Sequence, residues 1–140
     1  MLSFPTRGGY VAEDAPQPPS NGVAPAPGAP TISTHVLDTE AGQPAPGVHV
    51  TLYKLGEDDR PIRLTQALTD ADGRVRDLLE RPMSPGTYRL EFALALRGDD
   101  DEDRRFFRRL AVDLRIDDVS RSYHVPMLLA PFSMVTYRGS

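Results

Sequence analysis

The chain has 140 residues, 39% hydrophobic and 26% charged, with a formal net charge of -4 and no cysteine. That length suits one globular domain with a tail and allows a core, and the missing thiols exclude disulfides, thiolate metal sites and cysteine nucleophiles. The acid excess, without a basic stripe or a long apolar run, argues against nucleic acid, membrane and secretion, so a cytoplasmic protein is expected.

Residues 1–30 carry Pro5, Pro16, Pro18, Pro19, Pro25, Pro27 and Pro30 among Ala, Gly and Ser. With hardly any large apolar side chains, such a segment has too little surface to bury against its ordering entropy, and a disordered leader is predicted. Pro16-Gln17-Pro18-Pro19 also samples polyproline II, the form of a ligand for an aromatic groove.

The composition changes at Thr31. In residues 32–38, Ile32, Thr34 and Val36 alternate with Ser33, His35 and Leu37, the period of a strand with His35 in its middle. Residues 40–47 read as a turn, and a second strand follows in which Val48, Val50 and Leu52 alternate with His49, Thr51 and Tyr53, leaving His49 on the surface. Residues 62–68 give a third strand, and residues 74–78 a short fourth after Thr69-Asp70-Ala71-Asp72-Gly73. The clearest strand sets Tyr88, Leu90, Phe92, Leu94 and Leu96 on one face, as one wall of a core. Residues 97–109 place acids before bases, an order that suits a short helix and equally a solvated connection. Strands over 110–117, 122–129 and 132–137 complete a set of eight, which predicts an antiparallel β-sandwich.

Chemistry has few candidates. The three histidines, His35, His49 and His124, lack the spacing of a metal motif. His35 and His124 lie inside strands, and His124 shares its face with Pro126 and Leu128, an imidazole brought to a partly dry place; structural and catalytic roles both remain open. Arg74 follows the tight Asp72-Gly73 turn and either projects into a cleft as a charged fork or stands in solvent. The last residues alternate apolar and polar up to Tyr137-Arg138-Gly139-Ser140, the pattern of an ordered end forming a site wall, with Arg138 also fit for an end-cap or a subunit ion pair.

Four segments in order, Ser33-Thr34-His35-Val36-Leu37-Asp38-Thr39, Asp72-Gly73-Arg74, Tyr123-His124-Val125-Pro126-Met127-Leu128-Leu129 and Tyr137-Arg138-Gly139-Ser140, resemble those of the 5-hydroxyisourate hydrolases, the transthyretin-like enzymes of purine catabolism. The likeness covers residues 31–140, with residues 1–30 outside it. It implies an all-β transthyretin-like sandwich of two four-stranded antiparallel sheets with one short helix, assembled as a homotetramer, a dimer of dimers with sites where dimers meet. It also implies hydrolysis of 5-hydroxyisourate to 2-oxo-4-hydroxy-4-carboxy-5-ureidoimidazoline in urate degradation, without metal or cofactor. The residues carried over are His35, Arg74, His124 and Ser140 for catalysis, and His35, Arg74, Tyr137, Arg138, Gly139 and Ser140 for substrate contacts. Attack of water on an amide-like carbonyl needs a base and oxyanion donors, and the charge of Arg74 would keep a neighbouring imidazole neutral. Which histidine is the base stays open. Ala130 and Met134 depart from the family pattern, where serine and tyrosine are common. The alternatives are a transthyretin-type carrier of a small aromatic ligand and an adaptor that recruits a partner through its Pro-rich leader.

Overall fold

Residues 28–94 and 105–139, described by a computed structural model, form nine strands in two sheets. In chain order these are β1 (Ile32–Asp38), β2 (Gln43–Pro44), β3 (His49–Leu55), β4 (Pro61–Leu68), β5 (Arg74–Val75), β6 (Gly86–Ala93), β7 (Arg109–Ile116), β8 (Tyr123–Ala130) and β9 (Ser133–Thr136). One sheet runs β4-β3-β6-β7, and the other runs β2-β1-β8-β9 with β5 also paired to β1.

The period-2 pattern explains how the sheets meet. Ile32 and Val36 of β1 and Val125, Met127 and Leu129 of β8 are buried, as are Val50, Leu52, Tyr88, Leu90 and Phe92 of the facing sheet. Burying a side chain of this size contributes about 1.5–3 kcal/mol, so the inward faces of β1, β3, β6 and β8 hold the sandwich together. Leu110, Val112 and Leu114 of β7 pack on the same core from its margin.

The two-sheet sandwich is as expected, with differences in detail. Strands β1 and β8 pair in parallel, from Ile32 opposite Tyr123 to Asp38 opposite Leu129. They are joined through the other sheet rather than by a hairpin, so no turn imposes opposite directions. The predicted turn over 40–47 contains β2, and β2 and β5 share one edge of β1, which makes five strands where four were expected. The predicted fourth strand is only two residues long, although Leu78 N–H still donates to Ile32 O at 2.9 Å and Leu78 is buried. His49 is half-buried instead of superficial, and burial lowers its pKa. Of the proposed helix, residues 97–104 lie outside the described residues, 105–108 are not helical, and Arg109 opens β7. The leader through residue 27 and Ser140 also lie outside the described residues.

The turn before β5 is tied at several points. Asp70 Oδ1 accepts the N–H groups of Asp72 and Arg74 at 2.8 and 2.9 Å, and Gly73 N–H donates to Asp70 O at 2.8 Å. Gly73 has φ +76°, and a Cβ there would run into the carbonyl oxygen of Val36, whose own N–H donates to Gly73 O at 2.7 Å. Only glycine suits both demands. Gly73→Ala should therefore lose about 1–3 kcal/mol of unfolding free energy. Urea denaturation checks it, and an unchanged midpoint would refute this reading of the turn.

Candidate active site

Alternation along β1 sends Ser33 and His35 to the outer face of the sheet, opposite the buried Ile32, Thr34 and Val36. The pairing then brings partners alongside from both neighbours. Ser33 lies opposite His124 and His35 opposite Pro126 on β8, while Arg74 of β5 lies opposite His35. Val75 pairs with Thr34, so the next residue, Arg76, comes beside Ser33. A cavity of about 160 Å³ opens over these rows, lined by Ser33, Thr34, Arg74, Arg76 and His124.

Hydrogen bonds fix both imidazoles. His124 Nδ1 is 2.9 Å from Ser33 Oγ, which leaves Nε2 outside that contact. His35 Nε2 is 2.9 Å from the carbonyl oxygen of Asp72. A carbonyl oxygen only accepts, so the proton of that bond sits on His35 Nε2. On the inward side, Thr34 Oγ1 donates to Val125 O at 2.6 Å and ties β1 to β8 directly behind the site. Burial, then the charge of Arg74, then His35 push the His124 imidazole below the ordinary histidine pKa of about 6.5. Near neutral pH, His124 is therefore mostly uncharged and able to accept a proton.

The chain end lies against this imidazole. Gly139 N–H donates to His124 O at 2.7 Å, and a Cβ on Gly139 would come within 2.9 Å of His124 Cδ2 and 3.1 Å of Pro126 Cδ and Cγ. His35, Arg74, His124 and Gly139 are thus brought together. Tyr137 and Arg138 instead line a second groove of about 280 Å³, with Val112, Leu114, Tyr123 and Val125 among its walls. Tyr137 is 53% exposed.

Three cavity residues, Ser33, Thr34 and Arg76, are not among the residues the sequence singles out. Ser33 and Arg76 are each two positions from one that is, His35 and Arg74, and period 2 puts such neighbours on one face; Thr34 is an inward-facing core position of β1. Of the two departures from the family pattern, Met134 pairs with Leu129 and packs against the core, away from the site, and Ala130 pairs with Ser133 to close the β8–β9 turn. Among the described residues no three His, Asp or Glu form a metal-ligating group, and no helix is long and apolar enough to cross a membrane.

The HIUase/Transthyretin family profile matches residues 32–139. A 5-hydroxyisourate hydrolase of Halalkalibacterium halodurans is 41% identical over 115 residues, covering 78% of this chain and 97% of the relative. Among solved structures, the Klebsiella pneumoniae 5-hydroxyisourate hydrolase aligns with a TM-score of 0.65 at 34% identity, covering 79% of this chain and 99% of that one. Sea bream transthyretin in complex with thyroxine aligns with a TM-score of 0.66 at 26% identity, covering 76% of this chain and 92% of that one. By this match over most of its length, and by the fold that goes with it, the chain belongs to the HIUase/Transthyretin family.

Proposed function

We propose that this chain hydrolyses 5-hydroxyisourate to 2-oxo-4-hydroxy-4-carboxy-5-ureidoimidazoline in urate catabolism. The observation that carries the reading is the placement of the His124 imidazole in the wall of a cavity beside the Arg74 guanidinium, where burial and that charge lower its pKa. His124 is the base. We assign the ring proton to Nδ1, toward Ser33 Oγ at 2.9 Å, so that Nε2 holds the lone pair that takes a proton from water as the water oxygen adds to the ring carbonyl. Arg74 faces the oxyanion of the tetrahedral intermediate, where a fixed positive charge lowers the barrier. The ring carbon–nitrogen bond then breaks, the departing nitrogen receives the proton from His124, and the carbonyl carbon leaves as a carboxylate.

Ser33 acts through His124 and is a positioning residue. His35, whose Nε2–H is engaged by the Asp72 carbonyl, keeps Nδ1 as an acceptor for a ring N–H of the substrate. Gly139 and Ser140 are assigned to substrate contacts, with Ser140 also ordering the attacking water, whereas Tyr137 and Arg138 line the second groove and are not at the His124 cavity. Gly139, against the His124 ring, supports that assignment.

The assembly belongs to the same reading. A cavity of about 160 Å³ is smaller than most ligand pockets, about 300–1,000 Å³, so a wall supplied by another copy suits the site. A homotetramer, a dimer of dimers with sites where dimers face each other, would supply it. The catalytic unit is residues 31–140, with residues 1–30 a leader outside it, and the protein works in the cytoplasm. A carrier of a small aromatic ligand is the second reading, favoured by the likeness to transthyretin bound to thyroxine. A carrier has no use for a neutral imidazole beside a guanidinium, and tight binding of an iodinated aromatic without hydrolysis would be its mark.

Generating 5-hydroxyisourate with urate oxidase and following its ultraviolet decay tests the activity; decay no faster than the spontaneous rate would refute it. In the same assay His124→Ala and Arg74→Ala should each cost at least about a hundredfold in rate. Wild-type kinetics in both would remove these residues from the mechanism.

The pH profile has a definite sign. Neutral His124 is the reactive form and its pKa is lowered, so kcat/KM should rise with pH along an acid limb centred below about 6.5 and level off near neutrality. Arg74→Gln removes a charge that depresses that pKa, so its limb should move to higher pH besides the loss in rate. A limb that stays in place would show that Arg74 does not set the state of His124.

A further inference from the structure

Arg76 lines the cavity of His124, and the mechanism above gives it no task. It follows Arg74 by two residues along the same edge of β1 and stands beside Ser33. Its side chain is 68% exposed, and its ion-pair approach to Asp72 is a loose 3.9 Å between two groups in contact with water. Exposed pairs of this kind contribute little and exchange readily, so the guanidinium is available to an anion in the cavity. The lining residues, Ser33, Thr34, Arg74, Arg76 and His124, include two guanidiniums and no carboxylate. Such a wall is built for negative charge, and arginine's planar fork matches a carboxylate in particular.

The proposed reaction creates that charge. Water and a neutral ring amide become a carboxylate, an N–H and a released proton, so the product is anionic where the substrate carbonyl was neutral. We propose that Arg76, together with Arg74, forms a carboxylate subsite that holds the newly formed carboxylate of the product and accepts small planar ring carboxylates as ligands. The part concerning product rests on the hydrolase reading, and the part concerning carboxylate binding does not. Arg76 so placed favours product over substrate and sets how strongly product inhibits turnover.

Orotate and uracil provide the probe, since they share a planar ring ureide and differ by one carboxylate. Dissociation constants are measured by calorimetry on the full chain, and inhibition constants in the ultraviolet assay. The wild type should bind orotate at least about tenfold more tightly than uracil, the effect of one charge-assisted contact. Arg76→Gln should reduce that preference at least about threefold, and Arg76→Lys, which keeps the charge, should reduce it less. A wild type that binds the two rings equally, or binds neither, overturns the proposal, as does an Arg76→Gln variant that keeps the full preference. A chain that fails to accelerate 5-hydroxyisourate decay while showing the calorimetric preference would refute the hydrolase reading and leave the carboxylate subsite standing.

Discussion

The parallel ladder between β1 and β8 is the constraint on which the rest of the structure depends. Its inward face buries Ile32, Val36, Val125, Met127 and Leu129. A slip of one residue would turn that face outward and carry Ser33 and His35 into the core. Each buried side chain contributes about 1.5–3 kcal/mol, whereas a single polar contact contributes about 1 kcal/mol net. The core therefore sets the register, and the Ser33–His124 contact follows from it. Packing on one side of the sheet decides which hydroxyl meets which imidazole on the other, and the hydrogen bond from Thr34 to Val125 marks the same register from within.

The electrostatics of the site grow from the same arrangement. Pairing with β1 brings β5, and so Arg74, beside His35, and the turn before β5 is fixed by Asp70 and by a glycine that closely approaches the Val36 carbonyl. A guanidinium held there does two things at once. Its charge disfavours the imidazolium form of His124, and in the proposed hydrolysis it also faces the oxyanion. Partial burial of His124 acts in the same direction, since a less polar surrounding penalises the charged ring. The site thus keeps an imidazole uncharged next to a permanent cation.

Much of this was legible in the amino-acid order, because strands buried on one face write a period of two. β1 has the predicted limits, and β6, β7 and β8 fall within a few residues of theirs. His124 shares its outer face with Pro126 and Leu128 as the alternation requires. The parallel direction of β8 was not legible, since partner and direction are long-range properties that local alternation does not encode. The two-residue strands β2 and β5 are too short to show a period. Within the site, the imidazoles, Arg74 and the chain end stood out by motif, whereas Ser33 and Arg76 are residue types common on any surface and acquire meaning only beside His124. The difference between Gly139, which touches the imidazole, and Tyr137 and Arg138, which line the other groove, depends on how the chain turns after β9, and that too is tertiary.

The state of the His124 ring decides between a working base and a structural histidine, and nitrogen-15 NMR of the imidazole at neutral pH measures it directly. A neutral ring with its proton on Nδ1, toward Ser33, is the expected result. A cationic ring, or a neutral ring with its proton on Nε2, would contradict the role assigned to His124.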